Sequence, residues 1–393
     1  MSRAEPIERI EHGMPTGRLT LEVERSRLPV EQLIGFAARA NAKRGFLFLS
    51  KVLGKHWPAA PRAMQAVHDE LAAQIPSDLP QPVVFIAMAE TAVGLGQGVF
   101  EAWLRRHPEA QALFLHSSRY RVGELPYFEF EEAHSHAPRQ FLHLSAPTDA
   151  LLKRAGSLVL VDDEASTGNT FVNLARACRQ RYPGIARLHL ALITDFMGRA
   201  TAAELAARFG MPVSLGAALS GRYHFTPDAN ANAAAHAAPA QLFEANAERG
   251  ASDAFGRTGL QRALAAPRDL AARLAPHIGP AQSVLVLGTG EFMHPPFLLA
   301  RELEALGKRV VLQSTTRSPI LRWGDVGHIL RCPDNYGEGI ANYLYNVAPG
   351  QYEHVFICHE TPANSALAHL AGQLNGRLFH FQSETQIEEI PVR

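Results

Sequence analysis

A chain of 393 residues exceeds what one hydrophobic core usually supports, so two domains are expected. Its 38 Lys and Arg balance its 38 Asp and Glu, which leaves no global field to draw nucleic acid or an anionic membrane and sets both aside as partners. Cys178, Cys332 and Cys358 are scattered without a CxxC pair, which speaks against a disulfide framework and a cysteine-rich zinc site. No apolar run approaches membrane-spanning length, and the N-terminus is charged where a signal peptide would be apolar. A cytoplasmic protein acting on small molecules is the expectation.

In chain order, the first apolar run is Phe46–Leu49, followed by Lys51, Lys55 and His56. GKH lacks the Ser or Thr and the upstream Gly of a P-loop, so these lysines either screen an anionic ligand or are solvated. Candidate strands follow at Val83–Met88, Ala112–Leu115, Ser157–Val161 and Leu188–Thr194. The pattern collapses at 226–240, a low-bulk Ala/Asn/Pro stretch that reads as a linker. Strands then resume at Ser283–Leu287, Arg309–Gln313, His354–Cys358 and Arg377–Phe381. This alternation with amphipathic helical stretches predicts α/β architecture, two doubly wound parallel-sheet domains. The expected division is 25–225, a linker at 226–253, and 254–393.

The most informative segment is SLVLVDDEASTGNT, residues 157–170. Leu158–Val161 form a continuous apolar run, so Asp162 and Asp163 are expected at the carboxyl end of a buried strand, where open α/β sheets place ligands. Phe171, Leu174, Ala175 and Cys178 recur at helical spacing, which starts a helix near Gly168. Ser166, Thr167, Gly168, Asn169 and Thr170 then offer hydroxyls, an amide and backbone N–H groups at a helix N-terminus, an arrangement suited to a phosphate. The two carboxylates, acceptors only, suit the vicinal hydroxyls of a ribose. Phosphate and diol together indicate a ribose 5-phosphate; the alternative is an ordinary strand-to-helix turn with a capping Ser or Thr.

These residues resemble the PRPP-binding motif of type I phosphoribosyltransferases: a hydrophobic strand, two acids, two variable positions filled by Glu164 and Ala165, and a Ser/Thr/Gly loop. Ser166 stands where several purine-salvage members carry an Asp proposed to act as a base. The resemblance implies a type I phosphoribosyltransferase fold in the first domain, Mg2+, PRPP and a nitrogenous base as substrates, and possible assembly as a homodimer. It also implies that Ala89, Glu90, Thr91 and Ala92, which lead through Gly94, Gly96 and Gly98 into a helix, bind pyrophosphate. There Glu90 needs a bridging Mg2+ to sit beside an anion; a glycine-rich helix start with tight packing is the alternative. Arg119 is a second pyrophosphate candidate. The segment Tyr127–His143 falls where the family has a mobile loop or hood over the base, with Phe130, His134 and His136 as base contacts; a solvated loop or a weak metal site at the two histidines is the alternative.

In the second domain three strands each run into a polar loop: Gly288, Thr289, Gly290 and Glu291; Thr315, Thr316, Arg317 and Ser318; His359 and Glu360. All three are expected at one carboxyl edge. Met293 replaces the third glycine of a dinucleotide fingerprint, which makes NAD a poor fit. Arg317 reads as a phosphate or carboxylate clamp, with Glu291, His359 and Glu360 as acid/base groups. The hexapeptide STTRSP, with GTGE and the preceding domain, resembles the two-domain family whose C-terminal module is called TRSP, met in tellurium-resistance and stress loci. It implies a phosphoribosyltransferase resembling the orotate enzymes, with Asp162, Asp163 and Glu90 at its catalytic centre and the two aspartates near Mg2+. A PRPP-sensing regulator, or a bifunctional enzyme whose second domain modifies the product, remains the alternative.

Overall fold

The short apolar runs form parallel strands because helices cover both faces of their sheets, so no position needs to be polar. The computed structural model describes residues 7–39, 44–131, 139–198, 200–228 and 250–391. Both the expected linker core at 229–249 and the pair His134/His136 lie outside the described residues.

Along the chain, strands β1 (Glu8–Met14) and β2 (Gly17–Ser26) form an antiparallel pair. A short helix α1 (Val30–Leu33) leads into the antiparallel pair β3 (Ile34–Ala38) and β4 (Phe46–Ser50). Then come α2 (Pro61–Gln74), β5 (Val83–Ala87), α3 (Val93–Arg106) and β6 (Ala112–His116). The antiparallel pair β7 (Tyr127–Glu131) and β8 (Arg139–His143) precedes α4 (Ala146–Leu152) and β9 (Ser157–Ala165). The first half closes with α5 (Asn169–Arg181), β10 (Arg187–Asp195), α6 (Ala202–Phe209) and β11 (Val213–Pro227). The second contains α7 (Arg268–Leu274), β12 (Ser283–Gly288), α8 (His294–Ala305), β13 (Arg309–Ser314), β14 (Ile329–Cys332), β15 (Asn342–Tyr345), β16 (His354–His359), α9 (Ser365–Leu374), β17 (Arg377–Phe381) and β18 (Ile387–Ile390).

The chain divides into two compact units, and the cuts differ from the expected boundaries. One unit comprises residues 65–218 and 251–265; the other comprises 1–64, 219–250 and 266–393. The unit that holds the C-terminal sheet thus also takes in the segment of β3, β4 and the residues that follow to Met64. The reason is packing: Ala37, Leu47 and Leu49 of β3 and β4 share a core with Ile320, Val326, Ala341, Tyr343 and Tyr345. Ala59 also pairs with Leu312 of β13 through two backbone hydrogen bonds of 2.8 and 2.9 Å. Conversely, the stretch after the expected linker joins the first sheet, where Leu260 exchanges backbone hydrogen bonds with Phe114.

Within the unit of residues 65–218, four parallel strands run β10-β9-β5-β6. The connection β5-α3-β6 moves one way across the sheet and β9-α5-β10 the other, so the topological switch point falls between β5 and β9. Leu158 to Val161 are wholly buried there, each contributing roughly 1.5–3 kcal/mol by leaving water. Strand β9 runs four residues further than the expected Ser157–Val161, because β10 continues the ladder: Leu192 pairs with Asp162, Thr194 with Glu164 and Asp195 with Ala165. The glycines at 94, 96 and 98 lie inside α3 rather than in a loop. A Cβ on Gly96 would meet that of Ala87 at 2.3 Å, and one on Gly98 the His68 ring at 2.2 Å; close packing explains both.

In the other unit the sheet order is β13-β12-β16-β17-β18, with the first four strands parallel and β18 antiparallel. Of the buried histidines on these strands, His189 on β10 and His359 on β16 have their imidazoles pushed down to about 4 by burial. Below the ordinary value near 6.5 the unfolded chain takes up protons that the folded chain refuses, so stability falls as pH drops from 6.5 towards 4. At pH 5 the loss should be about 2 kcal/mol per histidine, from about 1.36 kcal/mol per pH unit. Urea midpoints at pH 7 and pH 5 measure it; equal midpoints would mean that the folded rings protonate normally.

Candidate active site

Strands β5 and β9 stay paired only as far as Ala87 and Val161. Beyond that point the chains part: Met88 N–H donates to Val161 O at 3.0 Å, and residues 89–92 turn away into α3 while β9 continues along β10. The crevice so opened holds the acids. Asp162 Oδ1 accepts from the Asp163 backbone N–H at 2.9 Å. Asp163 Oδ1 accepts from the Thr91 hydroxyl at 2.8 Å, tying the loop after β5 to the acid pair. The Asp163 carbonyl accepts from Thr194 Oγ1 at 3.1 Å, which fixes its backbone from the other side.

The loop 89–92 is braced from β6. Ala89 N–H donates to Ser117 Oγ at 2.8 Å, Ser117 Oγ bonds Gln140, and an Arg119 Nη donates to Ala89 O at 3.4 Å. Ala92 N–H is committed to Met88 O at 3.1 Å. The peptide bond joining Ala89 and Glu90 is cis. The hydrogen bonds bring Ala89, Thr91, Arg119 and Asp163 together, and add Ser117 and Gln140.

The residues 166–168 link β9 to α5. Gly168 caps α5 with φ +68°, and a Cβ there would lie 2.4 Å from Met197 Sδ. Gly168→Val is therefore expected to distort the loop and weaken binding of a 5-phosphate at least tenfold, with most of the loss in KM; an unchanged KM would mean that no phosphate sits there. Arg208, in the last turn of α6, crosses back onto this loop. One Nη bonds Thr167 O and also Asn169 Oδ1, the latter at 2.9 Å, and both Nη atoms lie 3.5 Å from where a Gly168 Cβ would be. Sequence reasoning missed Arg208, since nothing local relates it to a loop 41 residues upstream.

Phe130 departs from the expected base-contact role. It is buried in the core cluster with Val84, Ile86, Met88, Leu142 and Leu144, because β7 turns that face inward; its ring is used in packing.

For Mg2+, no group of three or more His, Cys, Asp or Glu side chains converges as a cage among the described residues. The site instead offers adjacent carboxylates, Asp162 and Asp163, hard oxygen donors beside the loop that caps α5. That suits an ion that keeps waters and takes its other ligands from substrate phosphates.

In the unit containing the C-terminal sheet, the three predicted loops do share one edge. Gly290 N–H donates to Thr315 Oγ1 at 2.8 Å, and Ser314 Oγ donates to Gly290 O at 2.9 Å. Asn335 Nδ2 bridges Thr289 and Thr361 hydroxyls at 3.4 and 3.0 Å, while the Tyr336 hydroxyl donates to Glu360 Oε1 at 2.9 Å. Glu291, Thr316 and His359 are buried at this edge, and a Cβ on Gly288 would lie 2.3 Å from Phe292 O. His359 Nδ1 bonds Thr361 O at 2.8 Å and its ring stacks on His380. Arg317 pairs with Glu338 at 2.9 Å, so its charge already has an acidic partner; Ser318 donates its backbone N–H to Thr316 Oγ1 and accepts from Arg39. The wholly buried Lys55, whose Nζ donates to Gly290 O at 2.6 Å, completes the edge from the N-terminal segment. It had read as a screening or solvated lysine.

The parallel sheet, its switch point and the acid pair beside the loop that caps α5 define an α/β crevice at the carboxyl edge of the strands. Residues 33–222 match the family described as phosphoribosyl transferase, and residues 254–374 match the TRSP domain found C-terminal to it. The chain belongs to this family of phosphoribosyltransferases with a C-terminal TRSP domain. No curated protein matches it. Among solved structures it is similar to adenine phosphoribosyltransferase from Rhodothermus marinus, at 13% identity over 49% of this chain and 96% of that one, TM-score 0.31. It is also similar to the Giardia lamblia adenine enzyme complexed with 9-deazaadenine, at 17% identity over 49% and 97%, TM-score 0.32. The orotate phosphoribosyltransferase from Aeropyrum pernix matches at 17% identity over 45% and 78%, TM-score 0.26.

Proposed function

We propose that the chain transfers the ribose 5-phosphate of PRPP to a nitrogenous base and releases pyrophosphate, making or salvaging a nucleotide-like metabolite. The observation that carries this is the Thr91–Asp163 hydrogen bond of 2.8 Å, which joins the loop after β5 to the acid pair beside the loop 166–170. Asp162 and Asp163 hold the ribose hydroxyls and stabilise the positive charge that develops at C1 as the bond to pyrophosphate lengthens. Ser166 to Thr170, steadied by Arg208, take the 5-phosphate at the α5 N-terminus. Glu90, Thr91 and Arg119 manage the departing pyrophosphate. Mg2+, when bound, supplies charge neutralisation there. A base whose ring nitrogen is already deprotonated needs no enzymatic base, consistent with a Ser at 166.

Titration of PRPP with Mg2+ by calorimetry, followed by a panel of bases with pyrophosphate release as the readout, tests the proposal. Binding with base-dependent release supports it. Binding without release would replace it with a PRPP sensor, and no binding would overturn it.

A second reading, a bifunctional enzyme, draws support from the edge formed by Gly290, Glu291, Thr315, Glu360 and the buried Lys55. Conversion of the transferase product by the full chain, lost in Glu360→Gln, is its expected signature.

A further inference from the structure

A groove of about 460 Å³ lies along the facing surfaces of α5 and α6. Arg176, Arg179 and Arg208 line it over Val172, Pro183 and Phe209, and none of its lining residues is acidic. In a chain whose charges balance overall, three guanidinium groups without an acid in one groove form a local excess of positive charge. Helix geometry accounts for part of it. Arg179 and Arg208 occupy last turns, where cations favour the helix dipole, and Arg179 also donates to Gly210 O at 2.6 Å. Arg176 lies in the body of α5, and its exposed side chain makes no hydrogen bond or ion pair among the described residues. Guanidinium groups bind phosphate oxygens in pairs of parallel hydrogen bonds, and the groove is within the size range of small-ligand sites.

We propose that this groove binds a phosphate-bearing effector of the size of a nucleoside diphosphate, and that Arg208 couples it to the 5-phosphate loop. Arg208 is shared: it lines the groove while bonding Thr167 O and Asn169 Oδ1. An anion in the groove competes for that guanidinium or holds it in place, and either changes how firmly residues 167–169 are set for phosphate. The coupling rests on the reading of that loop as the PRPP phosphate site; binding to the groove does not.

The test is calorimetric titration of ADP into the full chain. We expect one ADP per chain with Kd below about 1 mM. Arg176→Glu, at an exposed position without partners, should weaken it at least about tenfold, and Arg176→Glu/Arg179→Glu further. ADP should change the PRPP affinity by at least about threefold, PRPP should change the ADP affinity by the same factor, and Arg208→Met should abolish that reciprocity. Undiminished ADP binding in the arginine variants would place the nucleotide elsewhere and overturn the proposal, as would no ADP binding at all. Unaltered PRPP affinity would overturn the coupling. Arginine-dependent ADP binding in a protein that fails to bind PRPP would refute the transferase reading and leave the groove standing.

Discussion

Asp163→Asn is expected to lower transfer by about 10²–10³-fold, roughly 3–4 kcal/mol of transition-state stabilisation, with little change in thermal unfolding. The substitution is nearly isosteric. Its remaining carbonyl oxygen can still accept the Thr91 hydroxyl bond of 2.8 Å, and the backbone bonds that fix β9 do not involve the side chain. On the proposed mechanism, what disappears is the acid that stabilises the carbon becoming cationic when pyrophosphate departs. The loss should therefore appear in kcat more than in KM, because the ground-state ribose is neutral at that carbon. Unchanged turnover would remove Asp163 from the catalytic centre, and an equal loss of folding stability would make it a structural residue.

A fragment of residues 254–393 should fail to fold stably despite matching a domain boundary read from the sequence. It would lack Ala37, Leu47 and Leu49 from the core they share with Ile320, Tyr343 and Tyr345. It would also lack the Ala59 backbone pairing to Leu312, the Lys55 contact to Gly290, and the Phe36 N–H bond to Asp325 at 2.8 Å. Three buried aliphatic side chains with these hydrogen bonds contribute on the order of 5–9 kcal/mol, comparable to the whole stability of an ordinary domain. Circular dichroism should show no cooperative melt for the fragment alone and recovery on adding residues 1–64 as a second chain. A cooperative melt without them would show that the sheet is self-sufficient.

The apolar strands were legible because burial on both faces writes itself as uninterrupted Val, Leu, Ile and Phe, and the start of α5 because Gly168 marks it. The last four residues of β9 were not, since Asp162, Asp163 and Glu164 have no strand propensity of their own. The β10 backbone holds them extended, and that pairing is a tertiary fact. Arg208 and Lys55 were illegible for the same reason. Each acts on a loop far away in sequence, at separations of 41 and 235 residues, and an isolated basic residue carries no local mark of its partner. The β3–β4 pair illustrates a further limit: Phe46–Leu49 read correctly as a strand, yet a strand pattern does not say which sheet will cover it.

The extended end of β9 divides the candidate site into two materials. The carboxylates ride on backbone that β10 holds extended along one side, so the 162–165 amides bonded to β10 should exchange with deuterium more slowly than those of the loop that follows. Residues 166–168 belong to neither ladder nor helix and should exchange early. The electrostatic half of such a site is set before any ligand arrives, and the entropy of ordering, about 1–2 kcal/mol per residue, falls on a three-residue hinge rather than on the chemistry.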